Sequence, residues 1–313
     1  MQSLKWFPSG GVFTASILVI TAPWIAAAQK VPASEITPFR ADATLVLVPV
    51  TVVDRHGAIV NGLSSESFTL TEDGVRQEIR SLSEEDVPVS MGIVLDLSGS
   101  MRTVLGSAKE SLAALMKGAN PADEAFLNAV STRPLAYSGF TADLGEILSR
   151  VAFEEAAGNT ALVDTIWDSL TQLRTGIHPR KALLVISDGM DNHSRRSRGE
   201  LMERAVESDA RIFAIAVGPE TPRYAKPAEL TEEKRGILFL DELAAKTGGM
   251  SFSVRNRTEI AVAAARIGEA LRNQYTIGYA PRGTRRDNRW RRIRVAVAGS
   301  GMKAYARSGY RLP

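Results

Sequence analysis

Three segments of this sequence, Val89–Leu95, Ala182–Ser187 and Ile212–Val217, are apolar runs without the polar alternation of a half-exposed strand. A strand that wets one face alternates polar and apolar side chains; one that does not alternate must be covered on both faces. A further strand is expected at Ala125–Val130. Between and after the runs lie segments of helical periodicity: Thr103–Lys117, Asp143–Val151, Ala161–Leu173, Leu238–Lys246 and Glu259–Arg272. Strands alternating with helices imply β-α-β units, in which right-handed crossovers place helices on both faces of a parallel sheet. The expected fold class is therefore α/β, a doubly wound, mostly parallel sheet.

The flanks read differently. Thr44–Val53 is rich in Val and Leu and ends at the turn signal Asp54-Arg55-His56-Gly57. Phe68 and Leu70 alternate with Ser67, Thr69 and Thr71, and Asp73-Gly74 is a strong hairpin signal, with Val75 and Ile79 continuing into the next strand. After Arg272 the alternation returns, with Tyr275, Ile277 and Tyr279 and then Ile293, Val295 and Val297. Each flank holds too few strands to be stable alone. The two are expected to pair as one small β-domain, 43–86 with 273–313, into which 87–272 is inserted. The sequence has no internal repeat and no low-complexity segment.

The first 28 residues read as an export signal. Lys5 precedes an apolar run from Val12 to Ile25, and Ala26-Ala27-Ala28 offers a small-residue cleavage site, so the mature chain is expected to begin at Gln29. An uncleaved membrane anchor is the competing reading, but the run is short for a span of about 20 residues and Pro23 breaks its end. Residues 29–42 read as a linker, and the expected location is periplasmic or secreted. No other stretch is long and apolar enough to cross a bilayer, so membrane contact is expected only through the signal segment. The 313 residues contain no cysteine, which excludes disulfides, thiolate zinc sites, cysteine nucleophiles and a lipidated cysteine. Three histidines, His56, His178 and His193, are too scattered for an imidazole metal centre. A formal charge of +3 gives no reason to expect a nucleic-acid partner. Arginines at 282, 285, 286, 289, 291, 292 and 294 form a basic stretch that could meet an anionic surface such as lipid head groups, but a solvated hairpin is the better reading, because only Trp290 is interleaved with it.

The first apolar run ends in Asp96-Leu97-Ser98-Gly99-Ser100. Open parallel sheets bind ligands beyond the C-terminal ends of their strands. Alternate oxygen side chains in such a loop can turn inward on one point, with Gly99 expected to permit the tight path and the next helix adding its N-terminal dipole. Thr160 precedes a helix on the same edge, and Asp188 follows the second run. Two carboxylates and three hydroxyls make a hard, all-oxygen donor set, suited to Mg²⁺, with Mn²⁺ or Ca²⁺ possible, and unsuited to zinc or copper.

The order Asp96-x-Ser98-x-Ser100, then Thr160, then Asp188 resembles the metal-ion-dependent adhesion site of von Willebrand factor A domains. The resemblance covers roughly residues 87–272, and the flanking strands look like those of a bacterial exported subfamily. It implies that Ser98 and Ser100 bind the metal directly and that Thr160 does so in a ligand-ready state. Asp96 and Asp188 would act mostly through bound water. It also implies a protein partner that supplies an exposed Asp or Glu, and a last helix, Glu259–Arg272, that moves when such a ligand arrives. Asn159 stands where the family frequently has a second glycine, which stiffens the loop and removes no ligand.

Two other classes compete with a binding module. A Mg²⁺-dependent phosphatase of the haloacid dehalogenase type also places an Asp after an apolar strand, but it needs a second carboxylate two residues on, where this chain has Ser98. A serine hydrolase lacks its Gly-x-Ser-x-Gly elbow. A structural assembly factor of the cell envelope is indistinguishable from an adhesion module at this level. Of the neighbouring polar residues, Asp191, Asn192 and His193 read as a solvated loop rather than a second layer around the site, and Asp164 as a support for the loop.

Overall fold

The computed structural model describes residues 45–132, 134–136, 139–218, 230–281 and 289–311. The signal and linker segments lie outside the described residues, as do Arg282, Arg285 and Arg286. Among the described residues no helix is long and apolar enough to cross a membrane.

In chain order the strands are β1 (Val46–Val53), β2 (Phe68–Glu72), β3 (Val75–Gln77), β4 (Ile79–Glu84), β5 (Val89–Asp96), β6 (Glu124–Val130), β7 (Leu135–Ala136), β8 (Arg180–Ser187), β9 (Ala210–Val217), β10 (Ser251–Val254), β11 (Tyr275–Tyr279), β12 (Trp290–Val297), β13 (Lys303–Ala306) and β14 (Gly309–Arg311). The helices are α1 (Leu105–Lys117), α2 (Leu144–Ala152), α3 (Leu162–Leu173), α4 (Arg198–Glu207), α5 (Glu232–Thr247) and α6 (Arg257–Arg272).

The central sheet has the order β10-β9-β8-β5-β6-β7 and is parallel except for β7. All eight residues of β5 are buried, as the absence of alternation requires. Consecutive side chains go to opposite layers. Ile93, Leu95, Leu184 and Ile186 pack with residues of α1 and α6. Val94, Leu183 and Val185 pack with residues of α3, α4 and α5. The doubly wound sheet is thus the consequence of strands with two apolar faces.

The flanks do pair. β1 lies antiparallel between β11 and β13, with Val48 opposite Ile277 and Val52 opposite Ala304. β12 lies beside β2, with Val295 opposite Leu70. They form two four-stranded sheets, β13-β1-β11-β4 and β14-β12-β2-β3, around a core that includes Val48, Val50, Leu70, Tyr275, Ile277 and Tyr279. Asp73 and Gly74 join β2 to β3 with φ of 49° and 84°, the left-handed pair of a type I′ hairpin. One expectation fails here: Val75 and Ile79 do not share a strand. β3 pairs with β2, whereas β4 pairs with β11 in the other sheet, so the chain changes sheets at Glu78.

The sandwich holds a buried polar knot. Tyr279 and Tyr310 both donate to Glu72 Oε2, at 2.6 and 2.8 Å, and Arg291 Nη1 approaches Glu72 Oε1 at 3.2 Å. Arg291, in the middle of the basic stretch, is therefore a buried partner of Glu72, and not part of a solvated hairpin.

Candidate metal centre

β5 and β8 are neighbours in register, Leu95 beside Ile186, so their last residues, Asp96 and Ser187, reach the same C-terminal edge of the sheet. The Ser187 hydroxyl donates to Asp96 Oδ2 at 2.5 Å. The Ser98 amide donates to Asp96 Oδ1 at 2.8 Å, turning the chain so that Ser98 Oγ comes 3.0 Å from Ser100 Oγ. Gly99 is not what permits this path. Its φ is not in the left-handed region, and a β-carbon there would meet nothing within 4 Å. The turn is set by the carboxylate of Asp96 instead. A short 3-10 segment, Gly99–Thr103, then intervenes, so α1 starts only at Leu105 and its dipole is set back from the loop.

Asp96 is fully buried. Burial, opposed by the hydrogen bonds from Ser187 and Ser98 and reinforced by the charge of Asp188, pushes its carboxyl up to about 6. Asp188 is itself 5% exposed, and its Oδ1 accepts from the Met190 amide at 3.0 Å.

Thr160 reaches the same edge on a loop pinned from three sides. The Ala157 amide donates to Leu97 O at 2.7 Å, which joins the loop to the Asp96–Ser100 segment. The Ala161 amide donates to Ser131 O at 2.9 Å. Thr160 N donates to Asn192 Oδ1 at 3.0 Å, and its carbonyl accepts from the amides of Asn192 and His193. Gly158 has φ of 85° and a neighbour, Thr132 Oγ1, 3.1 Å from where a β-carbon would stand, so this glycine is conformationally required.

The segment after Asp188 is not merely solvated. Asp191 Oδ2 accepts from the Val163 amide at 3.1 Å, satisfying a free donor in the first turn of α3, and its Oδ1 accepts from the amides of His193 and Ser194. Asp164 supports the same loop as expected, accepting from the amides of Arg195 and Arg196 and from the Arg196 guanidinium at 3.0 Å. These bonds hold its carboxyl below the usual range against the opposing effect of burial. Ser187 is the residue that sequence reading passes over. The available signal is a hydroxyl closing an otherwise apolar strand beside one that ends in Asp.

Hydrogen bonds thus join Asp96, Ser98, Ser100 and Ser187, Asp188 lies within electrostatic reach of Asp96, and Thr160 is tied to both flanking loops. Among the described residues, no three carboxylate, imidazole or thiolate side chains gather as a cation cage. The donors at this edge are two carboxylates and three hydroxyls, a set that fits a hard divalent cation. The mutual repulsion of Asp96 and Asp188 fits it too, because a cation between them would relieve it.

No family model matches the sequence, and no curated protein is significantly similar to it. Solved structures do resemble it. A von Willebrand factor type A protein from Catenulispora acidiphila is 12% identical, with a TM-score of 0.50 over 80% of this chain and 76% of that one. The vWF domain of the type V pili tip protein Mfa5 from Porphyromonas gingivalis is 13% identical, with a TM-score of 0.48 over 59% of this chain and 95% of that one. BatB from Bacteroides thetaiotaomicron is 17% identical, with a TM-score of 0.46 over 58% and 98%. The chain has a von Willebrand factor A-like fold. At these identities the likeness concerns the fold alone.

Proposed function

We propose that the chain is an exported binding module that holds one divalent cation, Mg²⁺ in the first instance, and captures an acidic group of a partner protein with it. The observation that carries this reading is the hydroxyl pair Ser98–Ser100, 3.0 Å apart, beside the buried Asp96 and the nearby Asp188. Ser98, Ser100 and Thr160 would contribute neutral oxygens, and Asp96 and Asp188 the negative charge. A cation held mainly by hydroxyls remains under-neutralised and attracts a further carboxylate. Capture then needs no chemistry from the chain, only that its loops hold the donors in place, which the Thr160–Asn192 and Asp191–Val163 bonds support.

The phosphatase alternative is disfavoured by the same loop. The position that would donate and accept the proton is occupied by the hydroxyl of Ser98, which lacks the carboxyl group that such proton transfer needs. Mg²⁺ titration by calorimetry, on the wild type and Asp96→Ala, tests the site: one ion bound by the wild type and loss in the variant are expected, and equal binding would sink the assignment. Capture of a partner from envelope extract should stop when a chelator is added. Phosphate-ester hydrolysis that survives repurification and disappears in Ser98→Ala would establish the enzyme instead.

A further inference from the structure

At the opposite end of the central sheet, where β8 and β9 begin, a cavity of about 930 Å³ lies between the α/β layers and the sandwich. The eight residues of β8 run from it to the candidate metal edge, about 26 Å of strand. Its wall is mixed, and Leu45 and Leu47 are exposed apolar side chains in it. Four arginines, Arg180, Arg211, Arg307 and Arg311, stand in that wall, the last two paired with Asp209 and Glu207.

Arg211 is 6% exposed. Its Nε and Nη2 donate to Gly248 O at 2.9 and 2.7 Å, and Nη2 also reaches Thr51 Oγ1 at 2.9 Å. These bonds account for half of the guanidinium as a clamp between β9, the end of α5 and β1. They do not account for Nη1, which is buried without a hydrogen-bond partner, nor for Nη1 of Arg180, which is in the same condition. Burial first, then the charge of Arg180, lowers Arg211 to about 9. Asp86 and Glu85 offset part of the Arg180 charge, and the carboxylates of the wall itself are engaged by other arginines. Asp209 is bound by Arg307 at 2.6 Å, Glu207 by Arg311 at 3.0 Å, and Asp86 by Arg272 at 2.9 Å. An anion at this wall would satisfy the two unused donors and offset a charge that Asp86 and Glu85 offset in part at Arg180.

We propose that this cavity binds an amphipathic anion, a phosphate or carboxylate head group on a single apolar chain, with the head on Arg180 and Arg211 and the chain against Leu45 and Leu47. Guanidinium groups offer planar paired donors to such heads, and the volume falls within the range of small-molecule sites, about 300–1,000 Å³. The site is independent of the cation at the other edge.

Calorimetry of the full chain with decyl phosphate, below its micelle-forming concentration, tests this. One molecule is expected to bind, with affinity at least about tenfold weaker in Arg180→Gln, which removes one cation without touching the Arg211 clamp. Val206→Trp, on the half-buried face of α4 lining the cavity, is expected to block binding by filling it. Decanol, lacking the charge, and inorganic phosphate, lacking the chain, should each bind far more weakly. Asp96→Ala and added chelator should leave decyl phosphate binding unchanged. No binding by the wild type, or equal binding by the wild type, Arg180→Gln and Val206→Trp, would overturn the proposal. So would inorganic phosphate or decanol binding as tightly as decyl phosphate.

Discussion

Gly189 and Gly236 meet backbone against backbone: a β-carbon on Gly236 would lie 2.3 Å from the carbonyl oxygen of Gly189. Gly189 follows Asp188 with φ of 76°, and Gly236 lies inside α5. The pair lets α5 press directly on the loop that carries Asp188. Gly to Ala inside a helix ordinarily stabilises by about 0.5–1 kcal/mol. Here Gly236→Ala is expected to destabilise by about 1–3 kcal/mol through overpacking, and to weaken Mg²⁺ binding by displacing the Asp188 loop. Urea unfolding and calorimetry measure both; a gain in stability would show that the contact relaxes freely.

Asp96 gives the metal-free protein a pH dependence. Its folded pKa, about 6, is above the ordinary carboxyl value of 3.8. Between those values the folded state keeps a proton that the unfolded state has lost. Its contribution to stability is therefore full below pH 4 and lost as pH rises through 6, at most about 3 kcal/mol at ~1.4 kcal/mol per unit. In chelator at pH 7.5, Asp96→Asn should be the more stable protein, and at pH 4 the advantage should vanish. Mg²⁺ needs the ionised carboxylate, so wild-type affinity should fall below pH 6. Denaturant midpoints across pH, with and without Mg²⁺, decide this; a difference independent of pH would remove Asp96 as its source.

Asp191→Ala should weaken Mg²⁺ binding several-fold while leaving the helical circular dichroism in place. It removes the acceptor for the Val163, His193 and Ser194 amides, a capping loss of about 1 kcal/mol. The loop that fixes Thr160 loosens, but no proposed ligand is deleted. Unchanged affinity would mean that Thr160 is held without this brace.

Arg291→Met should destabilise the protein by about 3–5 kcal/mol, because among the described residues Glu72 would keep two tyrosine hydroxyls but lose its buried cation. The double variant Arg291→Met with Glu72→Gln should recover part of the loss. Thermal unfolding of the two variants provides the comparison, and a double variant no more stable than the single would place the effect in packing rather than charge.

What could be read from the sequence was what neighbouring residues decide among themselves. The apolar runs around Ile93, Leu184 and Ile215 announce two-sided burial, and Asp73-Gly74 announces its turn, because each signal is local. α4 went unread. Only Leu201 and Ala205 of its residues are buried, so it shows no helical stripe, although Ser197 and Glu200 form the capping box that marks its start. The change of sheet at Glu78 was not legible, since packing against β11 decides it. The site divides the same way. Oxygen donors at strand ends stand out in sequence, whereas the Thr160–Asn192 and Ser187–Asp96 bonds join residues that only the fold brings together.

The pairing of β1 with β11 and β13 also sets a timetable. Leu63 N and the Tyr275 hydroxyl, joined at 3.0 Å, are 212 residues apart in the chain. A polypeptide emerging N-terminus first must present Val46, Val48 and Val50 long before their partners exist, while β5 to β10 can assemble as they appear. Such long-range closure is slow, and the waiting strand is open to chaperones or to the same strand of another copy. The segment from Tyr275 onward is therefore the clasp of the molecule, and a chain cut before it would carry a finished α/β body with an adhesive N-terminal strand.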